Sequence, residues 1–280
     1  MVAFIGKPEY QGTGVEQTNS ASPVGWVSRP VPRTQGVEPG GSTYGVAIRP
    51  VPCQHVANME AVFKPFDPHA ETRVYHRHLP HWRQAGATYF VTFRLADSIP
   101  KPILLQWKEE RELWLKAHGI GDGLSGDERL SRYLALPEKQ RKHFERNEAR
   151  KLHLELDRCH GCCLLRLEQN AGILRQAMLH FHGARCWVGD FILMPNHVHL
   201  LVQPFGSHPL EVWLKSVKGY ASRRFKKESM SEGRVFQQES YDRIVRGRAE
   251  LERYRTYIAE NGTKAGLKES DYFLHRCEWL

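Results

Sequence analysis

His197 and His199 stand two residues apart inside the run Phe191-Ile192-Leu193-Met194-Pro195-Asn196-His197-Val198-His199-Leu200-Leu201-Val202-Gln203. Alternate residues of a β-strand face the same side. The two imidazoles therefore point together, while Val198, Leu200 and Val202 point the other way, into a core. Two parallel imidazoles on a rigid strand are half of a divalent-metal site. The same spacing also suits two ordinary histidines of a half-buried strand, so the missing half has to come from elsewhere.

It can come from Leu251-Glu252-Arg253-Tyr254-Arg255-Thr256-Tyr257-Ile258-Ala259-Glu260-Asn261. Leu251, Tyr254 and Ile258 form an apolar stripe at helical spacing, and Tyr257 and Asn261 share a neighbouring face one turn apart. Docked on the sheet by its stripe, this helix offers a phenol and an amide oxygen to one point. By spacing alone, Tyr257 can equally be a boundary aromatic and Asn261 a helix stop before Gly262. A phenol of pKa about 10 is a weak nucleophile at neutral pH. A metal that polarises the electrophile and takes up developing charge makes it useful. Mg²⁺ or Mn²⁺ suits a phosphodiester, and two imidazole ligands make Mn²⁺ at least as natural as Mg²⁺. The implied chemistry is transesterification, with Tyr257 becoming attached to a phosphate.

The elements that must position these groups are legible in outline. Ala87–Leu95 is β-branched and aromatic, hence a strand. Ile103–Leu115 has helical spacing and stops at Gly119; residues 119–128 read as a loop. Glu128–Asp157 is a charged helical run with a solvated face. Asn170–Phe181 reads as an amphipathic helix capped by Asn170 and ended by Gly183. Arg185–Met194 and the histidine strand form an antiparallel hairpin through Pro195-Asn196. Leu210, Trp213, Leu214, Val217 and Ala221 mark a helix, Val235–Val245 a short strand, and Glu250–Asn261 a last helix ended by Gly262. Interleaved strands and helices with a tight hairpin imply an α+β fold.

The 280 residues are 41% hydrophobic and 25% charged, a composition that suits a globular core rather than a disordered or membrane-spanning chain. Residues 1–70 read as a disordered or loosely ordered N-terminal segment: eight of the sixteen prolines fall before residue 66, with no apolar period. Residues 71–280 read as the folded domain, with a mainly helical insertion at about 100–185. The apolar region of a secretory signal is not seen at Met1–Pro8, and the six cysteines are irregularly spaced, so a reducing cytoplasm is expected. Of the net charge of +9, residues 1–64 carry only +1. The excess in the rest of the chain favours a polyanionic partner, and charge alone does not tell DNA from RNA or a membrane surface. No membrane is expected because no apolar run is long enough to span a bilayer. Lys215, Lys218, Arg223, Arg224, Lys226 and Lys227 of one helix, with Arg243 and Arg246, are the candidate DNA contacts, in the pattern of a cationic groove.

Several motifs together resemble the HUH endonuclease superfamily, and within it the REP-associated tyrosine transposases of the single-tyrosine, insertion-sequence-type branch. They are Met194-Pro195-Asn196-His197-Val198-His199-Leu200-Leu201-Val202, Tyr89–Leu95, Phe236–Arg246 and Tyr257–Leu267, in order over roughly 72–268. The resemblance implies a ferredoxin-like antiparallel sheet with helices on one face. It implies His197, His199 and Asn261 as ligands of Mg²⁺ or Mn²⁺, and Tyr257 as the nucleophile that forms a 5′-phosphotyrosine. It also implies single-stranded or hairpin DNA with palindromic repeats as partner, and a location at the nucleoid. Monomer and homodimer stay open. Relatives continue Asn-Pro where this chain has Asn261-Gly262, which implies a looser helix end and weaker metal binding.

Rival readings stay open on sequence. Tyr220, seven residues after Trp213, reads as core but is a second candidate nucleophile; Tyr241 reads as packing or DNA-contacting. His76-Arg77-His78, with His69 and His81, is a second histidine cluster, and Cys159-His160-Gly161-Cys162 a weak zinc motif. A domesticated DNA-binding protein without turnover is one alternative. A histidine-triad nucleotide hydrolase is another, but it needs a third histidine where Leu201 stands.

Overall fold

The computed structural model describes residues 61–76, 80–229 and 233–280. A hairpin of β1 (Thr72–His76) and β2 (Pro80–Gln84) precedes β3 (Tyr89–Arg94). Three helices follow: α1 (Lys101–Ala117), α2 (Gly126–Ala135) and α3 (Glu138–Leu156). Then come α4 (Glu168–Leu179), β4 (Cys186–Leu193), β5 (His197–Pro204), α5 (Leu210–Ser229), β6 (Tyr241–Ile244), α6 (Arg248–Lys264) and β7 (Phe273–His275). The larger sheet is antiparallel in the order β6-β3-β5-β4-β7. Apart from the edge strand β7, this is the ferredoxin-like order, with β3–α4–β4 and β5–α5–β6 as its two crossovers.

All residues of β3, and of β5, are buried, because the sheet is covered on both sides. Tyr89, Val91 and Phe93 of β3 pack with Val198, Leu200 and Val202 of β5 against α4 and α5. Phe90, Ile192, Met194 and Leu201 turn the other way, against Leu251 and Ile258 of α6. Helices thus lie on both faces, not one: the apolar stripe of α6 finds its match in the Phe90 side of the sheet. Burying each such side chain contributes about 1.5–3 kcal/mol.

The insertion has its own core. Leu115, Ile120, Tyr133 and Phe144 cluster, and Trp114 stacks on Phe144 at 4.0 Å. Within the expected loop, Ser125 and Glu128 form a reciprocal capping box that starts α2 at Gly126. Pro137 divides the charged run into α2 and α3. Within 100–185, α4 is a crossover of the sheet, and α1 to α3 are the helices that precede it.

Other expectations shift for local reasons. Asn170 does not cap α4; it lies inside the helix, buried, donating from Nδ2 to Leu164 O at 2.9 Å. Gly262 does not end α6, which runs to Lys264 before Gly266 takes a left-handed φ of +71°. A Cβ at Gly262 would lie 2.3 Å from the Tyr272 ring, so this glycine serves close approach and the helix end is not loosened. The expected strand at 235–245 is regular only over β6. The ordered chain also reaches further back than residue 71: Phe63 is buried in the α6-side core, and Phe66 N donates to Val245 O at 2.8 Å. The rest of the reading for the N-terminal segment, up to residue 60, lies outside the described residues.

Candidate active site

His197 and His199 are fully buried on β5, opposite Arg94 and Thr92 of β3, on the side that faces α6. Each ring is fixed through Nδ1: His197 to Asn196 Oδ1 at 2.7 Å, His199 to Thr92 Oγ1 at 2.7 Å. An amide oxygen can only accept, so Nδ1 of His197 carries the proton and Nε2 keeps its lone pair. The two Nε2 atoms face each other at 3.0 Å. Phe90 stacks on His199 (5.7 Å, 16°) and on Tyr254 of α6 (4.1 Å, 6°), so one aromatic column registers helix and sheet.

Tyr257 brings its hydroxyl to 3.1 Å from His199 Nε2. One turn on, Asn261 is buried, and its Oδ1 has no hydrogen-bond partner. The placing of α6 relies on a β-bulge between Val188 and Phe191. The bulge presents the buried Asp190, which accepts from Arg255 Nε at 3.0 Å and from Cys277 N at 2.8 Å. Arg255 is two residues from Tyr257, so this pair fixes the rotation of the helix.

The end of α3 completes the enclosure. His153 packs edge-on to His199 (5.2 Å) and beside Tyr257 (5.6 Å). Asp157 Oδ1 lies 4.0 Å from His197 Nε2 and 3.4 Å from Asn261 Nδ2. Asn196 Nδ2 donates to His160 O at 3.0 Å, which ties the loop after α3 to the turn before β5. Among the described residues, Asp157, His197 and His199 are the one set of three carboxylate, imidazole or thiol groups within reach of a single ion. Sequence reasoning missed Asp157 and His153, although their four-residue separation inside a charged run was a signal; it also missed Thr92 and Asn196.

Burial, then the neighbouring His153, pulls the His197 pKa down to about 3. Burial, His197 and His153 lower that of His199 as well. Both rings are therefore neutral near pH 7, the state in which an imidazole binds a metal. Burial, followed by the charge of Asp157, raises the Tyr257 pKa against the pull of the Asn261 amide, so the phenol is held protonated.

Two buried imidazole nitrogens facing each other and an orphaned buried amide oxygen fit a cation.

The competing groups lie elsewhere. Tyr220 is 40% exposed rather than core, because the buried stripe of α5 passes through Ala221 and Phe225. It is also across the sheet from the histidines, since α5 packs on the Val198 side. Tyr241 packs edge-on to Phe90 at 6.5 Å. His81 pairs with Asp242 at 2.7 Å, while the side chains of His76 and His78 lie outside those described. The cysteines among the described residues are free, and they form no metal-binding set. Leu201 occupies the α6-side core, where a third histidine would have faced the site.

Of the candidate DNA contacts, Lys215, Arg223, Arg224, Lys226 and Lys227 are exposed along α5. Lys218 donates from Nζ to Gln237 O, Gln238 O and Ser240 Oγ, and Arg243 pairs with Glu250 at 3.0 Å. Arg246 is exposed, its guanidinium 5.8 Å from the Phe66 ring. Among the described residues, no helix is long and apolar enough to cross a membrane.

No curated protein matches the chain. A solved structure described as the REP associates tyrosine transposase bound to a REP hairpin aligns with 70% of this chain and 75% of its own, at 13% identity and a TM-score of 0.36. The family described as "Transposase IS200 like" matches residues 180–261. Over that segment, which holds both histidines, Tyr257 and Asn261, the chain is similar to the IS200-like transposases, the branch its motifs resemble.

Proposed function

We propose that the chain is a divalent-metal-dependent DNA strand transferase, acting on single-stranded or hairpin DNA in the transposition of REP-type elements. The observation that carries this reading is the 3.1 Å approach of the Tyr257 hydroxyl to a histidine whose Nε2 is itself 3.0 Å from a second one. That cluster sits within the segment similar to IS200-like transposases. His197, His199 and Asn261 would hold Mg²⁺ or Mn²⁺. When bound, the ion neutralises charge on the non-bridging oxygens of the scissile phosphate.

The residues do the rest. The Asp190–Arg255 pair and the Phe90 column keep Tyr257 aimed at the site. Its oxygen attacks phosphorus, forming an O–P bond as the bond to the 3′ oxygen breaks. In sum the phenolic proton ends on that 3′ oxygen, leaving a 5′-phosphotyrosine and a free 3′-hydroxyl. The phosphotyrosine keeps the bond energy, so an incoming 3′-hydroxyl rejoins the strand without ATP. The exposed bases of α5, with Arg246, draw in the backbone. The protein works at the nucleoid, in the cytoplasm, as monomer or homodimer.

The test is incubation with end-labelled hairpin single-stranded DNA and Mn²⁺ or Mg²⁺, followed by denaturing electrophoresis. A covalent protein–DNA adduct is expected, lost with chelator and in Tyr257→Phe, while Tyr257→Phe still binds DNA. An adduct lost in Tyr220→Phe but kept in Tyr257→Phe moves the nucleophile. Tight binding with no adduct in any condition leaves a DNA-binding module without turnover.

A further inference from the structure

The acidic side chains of α3 are not alike. Glu148 pairs with Arg111 at 2.7 Å, and Glu155 with Arg158 at 2.8 Å. Asp157, at the C-cap of the same helix, has no Lys or Arg partner among the described residues. Its only side-chain hydrogen bond there is the long one from Asn261, at 3.4 Å. It is also the carboxylate that stands 4.0 Å from His197 Nε2.

We propose that Asp157 is a further ligand of the cation held by His197 and His199, so that one ion fastens the inserted helices to the sheet. This rests on the reading that the histidine pair binds a divalent cation.

Three independent features support the assignment. The first is distance. Ligand atoms about 2.1 Å from a shared octahedral ion stand roughly 3 Å apart when adjacent and roughly 4 Å apart when opposite. The nitrogen and oxygen atoms of Asp157, His197 and His199 already lie within 4.8 Å of one another, so only a small closure remains. The second is charge. Two neutral imidazoles and a neutral amide leave both charges of the ion uncompensated in a buried site, which is unfavourable. One carboxylate removes half of that excess, and a phosphodiester oxygen of the substrate removes the rest. The third is the helix itself. The last carbonyls of a helix carry partial negative charge, which favours a cation at that end. Here α3 is 19 residues long and ends at the site.

His153 and the loop beyond Asp157 hold this end in register. His153, one turn earlier, packs on His199 and Tyr257. The next loop is pinned to the turn before His197 by Asn196 Nδ2 and His160 O. The insertion is on this account part of the ion's cage.

The experiment is Mn²⁺ titration of the full chain by calorimetry or electron paramagnetic resonance. Wild type is compared with Asp157→Asn, Asp157→Glu and His199→Ala, with hydrogen exchange of α3 followed in parallel. Asp157→Asn keeps the side-chain size, and its melting in chelator reports on the fold. Expected are a loss of Mn²⁺ affinity of about tenfold or more in Asp157→Asn, and a smaller loss in Asp157→Glu. Mn²⁺ should also slow exchange at the end of α3 in wild type but not in Asp157→Asn. Wild-type binding with Asp157→Asn within about twofold, or α3 exchange indifferent to Mn²⁺ in wild type, overturns the assignment and leaves the histidine site standing. No Mn²⁺ binding by wild type overturns the histidine site itself.

Discussion

On the α5 side of the sheet, the buried Asp242 meets Arg83 Nη1 at 2.5 Å and His81 Nδ1 at 2.7 Å, while Arg83 also reaches Glu211. On the α6 side, two buried imidazoles face each other through Nε2 at 3.0 Å, and Asn261 Oδ1 accepts nothing. The first group joins β2, β6 and α5, and the second joins β5 and α6. The first pairs Asp242 with Arg83 and His81, although His81 Nε2 has no hydrogen-bond partner, and holds the β1–β2 hairpin to the sheet. The second keeps a buried amide oxygen without a hydrogen-bond partner, beside a set of groups within reach of one ion. The chain thus tells structural burial of polar groups from functional burial by whether the partners are already present.

The contrast can be broken from either side. His199→Leu removes half of the facing imidazole pair. Mn²⁺ affinity and adduct formation should both fall, the latter by roughly a thousandfold. In chelator its melting temperature should fall less than that of Asp242→Ala, because the change removes neutral hydrogen bonds to Thr92, His197 and Tyr257 but strands no charge. A large fall in melting temperature with Mn²⁺ affinity intact would reverse the roles of the two faces.

Asp242→Ala should do the opposite. It strands Arg83 and His81 without their carboxylate and should cost about 3–5 kcal/mol in denaturant unfolding. Mn²⁺ affinity of the folded fraction should be unchanged.

A third measurement uses pH. Burial acts to lower the His81 pKa, but the hydrogen bond to Asp242 and the nearby Glu239 carboxylate overcome it and raise the value to about 9. A histidine whose folded pKa exceeds its unfolded value of about 6.5 contributes stability that is complete below 6.5 and lost as pH rises through 9. Wild type should therefore lose melting temperature between pH 7 and 10, and His81→Gln should lose less over the same range. Equal losses would show that this pair is not charged.

The smallest effect concerns the approach of DNA. Lys226→Gln with Lys227→Gln should lower hairpin affinity modestly and reduce the slope of log affinity against log salt by about 1 to 2. Adduct formation at saturating DNA should be unaffected. An unchanged slope would remove this end of α5 from the DNA path.

Strand alternation in Phe191–Gln203 was enough to put His197 and His199 on one side and Val198, Leu200 and Val202 on the other, because a period of two leaves no freedom. Helical spacing likewise put Tyr257 and Asn261 together, and the apolar stripe of α5 came out at Leu210, Trp213, Leu214, Val217 and Ala221, all buried. Exact helix ends were less legible. Gly262 reads as a stop in any linear scan, and only the Tyr272 ring above it explains why it sits within the helix.

What periodicity cannot carry is which distant segment covers which face. Tyr220 and Tyr257 are both tyrosines on amphipathic helices, and packing separates them: the side of the sheet each helix occupies, and the face of α5 that leaves Tyr220 exposed. The run 128–157 looked solvated because its charges dominate, yet its last turn delivers His153 and Asp157 to the histidines. Local pattern sets the direction of a side chain from its own backbone, and the sequence determined that much. Long-range packing sets what stands opposite. The β4 bulge, the Asp190–Arg255 pair and the docking of α3 join residues many positions apart, so they were decided only in three dimensions.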